Sequence, residues 1–270
     1  AEILESEEVI QNALSFKVLQ VVLRRDRDTH AGDYLFKQPE NIFAIGKAIA
    51  VGAYGLEPYR FRIPEGAMMA DMAKIYSSLL ERFNTERFLS RSQELEGYLF
   101  PDTYFFLPNA TDETIVSAMR QNFDKQIATI QADIDAFGVP LDDVVTMASL
   151  LEREARTSED RKLIAGVLWN RIDRNMLLQV DAAFLYTLGK GTFDLTLDDL
   201  AADSPYNTYK YKGLPPTPIG SPSLDSLTAA VNPGEHKYLF YLADNTGVTY
   251  YSRTYEEHLA KKRRYLGPGN

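Results

Sequence analysis

Apolar positions recur at helical spacing from the start of the chain. Ile3, Leu4, Val9, Ile10 and Leu14 predict a helix over residues 1–14. The run Phe16-Lys17-Val18-Leu19-Gln20-Val21-Val22-Leu23, within residues 16–25, suits a helix or a strand. Ala31-Gly32-Asp33 then turns into a short strand, Tyr34-Leu35-Phe36, and Asn41 caps a helix to about 51. Tyr59-Arg60-Phe61-Arg62-Ile63 alternates as a strand and stops at Pro64-Glu65-Gly66, ahead of a helix over about 68–83. Residues 94–108 are dense in aromatics and broken by Pro101 and Pro108, which reads as an ordered loop. Four helices follow: one from Thr111 to about 135, one capped by Asp142 to about 156, one capped by Ser158 to about 174, and a short one over 182–188 behind Asp181. Residues 203–222 form a loop rich in Pro and Tyr, and Ser223 caps a brief helix to about 231. Two strands, 237–243 and 248–251, join through the hairpin Asp244-Asn245-Thr246-Gly247. Thr254 and Glu257 have capping-box spacing for a last helix. The order is α+β: a small region of short elements, a mainly helical body, and a closing hairpin.

Composition narrows the chemistry more than the fold. The 270 residues leave room for one large domain or two smaller ones. Cys is absent, which excludes disulfides, Cys-zinc sites, thiol nucleophiles and iron–sulfur clusters. The three histidines, His30, His236 and His258, are far apart and form no metal-ligand motif, and no Gly-x-Ser-x-Gly elbow is present. Acidic residues outnumber basic ones, 38 to 29, and the net charge of −9 argues against a nucleic-acid partner. No apolar run reaches the length of a membrane span. Carboxylate, hydroxyl and aromatic chemistry remain.

On the helix 142–156, Glu152 and Glu154 flank the apolar face, about 160° apart at about 100° per residue. A carboxyl at such a border is partly desolvated, and desolvation raises its pKa toward what a general acid needs. At that separation at most one of the two is the acid, and the helical wheel does not choose between them. The loop Ser204 to Ile219 offers Tyr206, Asn207, Thr208 and Tyr209, whose hydroxyls, amide and ring faces suit a sugar. A purely structural loop is the competing reading. Asp181 is likewise a candidate ligand or only an N-cap.

Several segments together resemble the YceG-like family of endolytic murein transglycosylases. They are Ile63-Pro64-Glu65-Gly66, Glu96-Gly97-Tyr98-Leu99-Phe100-Pro101-Asp102-Thr103-Tyr104, Ala148-Ser149-Leu150-Leu151-Glu152-Arg153-Glu154-Ala155, Trp169-Asn170-Arg171, Leu178-Gln179-Val180-Asp181, Ser204 to Tyr209, Gly213 to Ile219, and Tyr241-Leu242-Ala243-Asp244. They occur in the family's order over about 60–270.

The resemblance implies a mainly helical, lysozyme-like catalytic domain over 61–270, after a partial LysM-like α/β region over 1–60. It implies cleavage of the MurNAc–GlcNAc β-1,4 bond inside peptidoglycan strands, leaving 1,6-anhydro-MurNAc ends, by one Glu with no metal or cofactor. A hydrolytic muramidase and a non-catalytic glycan-binding scaffold are the alternatives. Glu154, followed by the small Ala155, fits the family's acid best, with Glu152 second. Glu96, Gln179, Asp181, Tyr206, Asn207, Thr208 and Tyr209 are expected to line the groove, with the acid opening beside Tyr206 and Asn207. Val180 stands where the family commonly has a small polar residue. A membrane helix ahead of this chain, location on the outer face of the cytoplasmic membrane and peptidoglycan synthase partners are further expectations of the resemblance.

Overall fold

The computed structural model describes residues 1–23, 30, 32–36, 38–191 and 194–267. Helices α1 (Glu2–Ser6), α2 (Ala13–Val22) and α3 (Ile42–Val51) come first. The helix expected over 1–14 is broken. The chain turns at residues 7–12, where Glu8 takes a left-handed φ of 58°. Asn12 then restarts the helix by accepting a hydrogen bond from Ser15 N at 2.8 Å. Its side chain competes with the backbone, so it caps α2 better than it continues α1. The ambiguous run from Phe16 is helical, and residues 24 and 25 lie outside the described residues. Residues 32–36 form no strand, and Ala31 lies outside the described residues. Ile10, Phe16, Ile45 and Ile49 make a small core of their own.

A second core gathers around β1 (Tyr59–Arg62), α4 (Met69–Ser77), α5 (Thr85–Leu89), α6 (Ser92–Leu95), β2 (Thr103–Phe106) and α7 (Asp112–Thr129). Strands β1 and β2 pair antiparallel, Tyr59 opposite Phe106 and Arg62 opposite Thr103. The expectation of a loop throughout 94–108 is therefore corrected. Pro101 and Pro108 bound the segment, and Thr103-Tyr104-Phe105-Phe106 between them has strong β propensity and a partner edge. The long helix expected to 135 is two, α7 and α8 (Gln131–Phe137), divided at Ile130.

The largest core surrounds α9 (Leu141–Glu154), α10 (Ser158–Asp173) and α13 (Leu224–Val231). Pro140 occupies the N-cap of α9 in place of Asp142, and Thr157 caps α10 in place of Ser158, accepting from Asp160 N at 3.1 Å. Residues 144–151 of α9 are buried without interruption, Thr146 and Ser149 included. This stretch of the helix is enclosed on all sides, which a one-sided stripe would not describe. Ser149 Oγ donates to Thr146 O at 2.7 Å and accepts from Ile219 N at 3.0 Å, tying the Pro-rich loop to the helix. The shorter helices α11 (Ala182–Leu188) and α12 (Leu197–Ala201) follow α10. The hairpin of β3 (Phe240–Ala243) and β4 (Thr249–Ser252) pairs antiparallel, as the sequence indicates. It carries α14 (Tyr255–Tyr265), capped by Thr254. Glu257 accepts from Arg253 N at 2.9 Å, one residue ahead of the expected capping box.

Candidate active site

The last turn of α9 emerges from the largest core into an open cleft of ≈ 260 Å³. One wall is the turn after β1, with Glu65 and Gly66; the other is α11, with Asp181, Ala182 and Leu185. Glu152, Arg153 and Glu154 lie between them. The turn is fixed on two sides: Gly66 N donates to Ser221 O at 2.8 Å, and Arg153 Nη2 donates to Gly66 O at 2.6 Å. Beside it, the 94–108 segment meets the Pro-rich loop at Gly97, whose φ is +86° and whose missing Cβ would lie 2.4 Å from Pro218 Cβ.

Both candidate glutamates border this cleft, and their partners differ. Glu152 Oε1 pairs with Arg161 Nη2 at 3.0 Å. Its Oε2 accepts from Ser223 N at 2.7 Å and Ser223 Oγ at 2.5 Å. Arg161 continues to Asp225 at 2.7 Å. Glu152 thus joins the end of α9 to α10 and to the N-terminus of α13, and both its oxygens are engaged.

Among the described residues Glu154 has no cationic partner. Tyr241 Oη, from β3, donates to Glu154 Oε2 at 2.8 Å. Burial pushes the Glu154 carboxyl up to about 7. The Tyr241 hydroxyl and the Ala182 N–H pull the other way, and the negative charge of Asp181 adds to the rise. Glu154 is therefore substantially protonated near neutral pH and faces a cleft, the condition for a proton donor.

Asp181 occupies the N-cap position of α11 but makes no side-chain cap bond. Its Oδ1 instead accepts from Tyr209 Oη at 2.5 Å. Behind the two tyrosines stands Arg171, 6% exposed. It donates to the carbonyls of Leu239 at 2.6 Å and Leu178 at 2.7 Å. Its guanidinium lies 5.1 Å from the Phe240 ring centre.

The remaining expected residues divide by role. Tyr206 is half-buried, packed on Tyr186, with its hydroxyl 2.7 Å from Thr217 Oγ1. Asn207 is buried: its Nδ2 donates to the carbonyls of Leu200 and Ala202, and its Oδ1 accepts from Tyr209 N. Thr208 Oγ1 accepts from Val180 N at 2.8 Å and donates to Val180 O, so it stitches the 204–209 loop to the segment before α11. Gln179, exposed and left-handed at φ 52°, continues that stitch through its backbone N–H to Thr208 O. Asn207 and Thr208 are buried in these backbone contacts, and Glu154 lines its cleft with Asp181 and is held by Tyr241. Val180 is buried, 1% exposed. Glu96, 3% exposed, accepts from Met69 N at 3.1 Å at the start of α4, and burial lifts its carboxyl to about 7. Asp71 lifts it further, and Arg153 opposes the rise.

Tyr241 and Arg171 are side chains beside the candidate acid that periodicity did not find. Each sits in a segment quoted for the resemblance, yet nothing local marks a strand tyrosine as the partner of a glutamate 87 residues away.

The model of the YceG-like family matches residues 1–264 of the chain. The endolytic murein transglycosylase of Bacillus subtilis (strain 168) is 31% identical over 297 residues, which cover all of this chain and 82% of that protein. The endolytic murein transglycosylase of Streptococcus pneumoniae serotype 2 (strain D39) is 36% identical over 208 residues; the match covers 75% of this chain and 38% of that protein. Among solved structures, the 2.6 Å crystal structure of a YceG-like protein from Listeria monocytogenes superposes with a TM-score of 0.69 at 32% identity, covering 97% of this chain and 94% of that one. With the fold, the cleft and these matches in agreement over almost the whole length, the chain belongs to the YceG-like family.

Proposed function

We propose that the protein is an endolytic peptidoglycan lytic transglycosylase with Glu154 as its single acid and base. It cleaves the MurNAc–GlcNAc β-1,4 bond within nascent glycan strands and leaves a 1,6-anhydro-MurNAc end. The observation that carries this reading is the contrast between the two glutamates. Glu154 is a carboxyl lifted to about 7 at the edge of an open cleft, while both oxygens of Glu152 are taken up by Arg161 and Ser223. The enzyme class follows the two relatives named endolytic murein transglycosylase.

In this mechanism the protonated Glu154 gives its proton to the glycosidic oxygen, and the C1–O bond breaks. The transition state is oxocarbenium-like. The resulting carboxylate takes the proton from the MurNAc C6 hydroxyl as that oxygen closes on C1. The Tyr241 hydroxyl on Oε2 favours Oε1 as the oxygen that carries the acidic proton, and steadies the carboxylate between the two transfers. Tyr206, Tyr209, Gln179, Asp181 and Glu96 form the glycan-facing wall and its supports, with Asn207 and Thr208 fixing the loop behind them. The separate core of Ile10, Phe16, Ile45 and Ile49 supports a boundary near residue 60 between a LysM-like region and the transglycosylase domain. Action on peptidoglycan places the protein outside the cytoplasmic membrane, with an anchor ahead of this chain and synthases as partners in the same reading.

Product analysis by mass spectrometry on purified glycan strands tests the proposal. Wild type and Glu152→Gln should give anhydro-MurNAc ends, and Glu154→Gln should lose activity by about 10²–10⁴-fold, the span of general acid–base catalysis. Reducing MurNAc ends without anhydro products would make the enzyme a muramidase. Loss in Glu152→Gln alone would transfer the acid to Glu152, and cellular function with an inactive Glu154→Gln would favour a scaffold.

A further inference from the structure

Asp181 stands where a helix N-cap is expected and does not act as one. The residue has helical angles, φ −70° and ψ −25°, and its side chain accepts nothing from the first turn of α11. It is held instead by Tyr209, 2.5 Å away, and it lines the same cleft as Glu154. Among the described residues no Lys or Arg forms an ion pair with it. Arg171, the buried cation on α10, is occupied by backbone carbonyls. Asp181 thus lines the same cleft as a carboxyl that its negative charge helps to keep protonated. A proton-donating carboxyl and a second, charge-stabilising carboxyl in one cleft form an arrangement that breaks glycosidic bonds.

We propose that Asp181 is a second catalytic carboxylate, which stabilises the positive charge on the MurNAc ring as the glycosidic bond breaks. The inference rests on the reading of Glu154 as the acid. Glu154 transfers its proton to the glycosidic oxygen, and the C1–O bond cleaves with its electron pair remaining on that oxygen. Positive charge spreads over C1 and the ring oxygen, facing Asp181. The C6 hydroxyl then bonds to C1, and its proton returns to Glu154. Asp181 forms no bond and exchanges no proton. The Tyr209 hydrogen bond withdraws electron density from its oxygen, which disfavours attack on C1 and suits a purely electrostatic role.

The test is Asp181→Asn, which keeps an acceptor for Tyr209 and removes the charge. The expected result is a fall in kcat of about a hundredfold with KM within about threefold of wild type, the pattern of an interaction made in the transition state. Glu154 faces Tyr241 from β3, Asp181 and the Ala182 N–H from α11, and Tyr209 from the loop. Arg171 lies behind the tyrosines, and Glu65, Glu152 and Arg153 border the same cleft. Of these, only the Asp181 charge is removed, so the Glu154 carboxyl, followed by ¹³C NMR without turnover, should titrate at lower pH in Asp181→Asn. Asp181→Glu keeps the charge and should retain more kcat than Asp181→Asn. Equal kcat in these two variants, a loss confined to KM, or an unmoved Glu154 titration would overturn the inference. Wild-type activity in Asp181→Asn beside an inactive Glu154→Gln sinks this inference alone, whereas full activity in Glu154→Gln sinks the general-acid reading beneath it.

Discussion

Glu152 and Glu154 lie on the same helix end and border the same cleft, so their chemistry is decided by the atoms around each carboxyl. A guanidinium, a backbone N–H and a hydroxyl converge on Glu152. Glu154 meets one phenol, a backbone N–H and a neighbouring carboxylate, and is desolvated by burial. The pH dependence of turnover follows. The carboxyl must be protonated to start the reaction, so activity should fall as pH rises through about 7. Tyr241→Phe removes a donor that favours the ionised form, so the Glu154 pKa should rise and the alkaline limb should move to higher pH. The kcat at the optimum should drop by about tenfold, since one hydrogen bond to a charged group is worth about 1.5–3 kcal/mol when fully used. A kcat–pH profile of the two proteins side by side checks this, and superimposable limbs would refute it.

At the scale of elements, Glu152 is a joint. It brings the end of α9, the start of α13 and Arg161 of α10 to one point, with Glu152 5% and Arg161 13% exposed at the side chain. Glu152→Ala should therefore destabilise the fold by about 3 kcal/mol, at the low end for breaking a buried pair because Asp225 still holds Arg161. Urea unfolding measures it, and a change under 1 kcal/mol would contradict the joint. The hairpin β3–β4 also acts beyond its own pairing, because Phe240 opposite Ser252 fixes the register that brings Tyr241 to Glu154. A slip of one residue would point Tyr241 to the other face. The segment 94–108 shows the reverse case: its strand exists only because β1 offers an edge 40-odd residues earlier in the chain, which no local pattern discloses.

Across the whole molecule, three separate cores imply unequal local stability. Among the described residues the first has four buried apolar residues and lies beside exposed ones, among them Leu14, Val18, Val21 and Val22 on α2. The third encloses residues 144–151 of α9. Native-state hydrogen exchange should show α2 and α3 opening at much lower free energy than α9, since few buried contacts resist their opening. Equal protection in the two regions would contradict the division.

What the sequence determined by itself was set by short-range chemistry. The helices of the body, the caps at Asn41, Ser223 and Thr254, and the closing hairpin all follow from periodicity and side chains that satisfy backbone groups a few residues away. Composition left carboxylates as the chemistry, and ordered motifs pointed to the family and to one helix end. What the tertiary structure decided depended on partners distant in the chain. It paired β2 with β1 and turned Thr208 inward to brace a loop against Val180. It engaged both oxygens of Glu152 with residues from α10 and α13, and set Tyr241 and Asp181 around Glu154. A carboxyl's protonation depends on burial and on the charges that surround it in space, and one helix seen alone supplies neither.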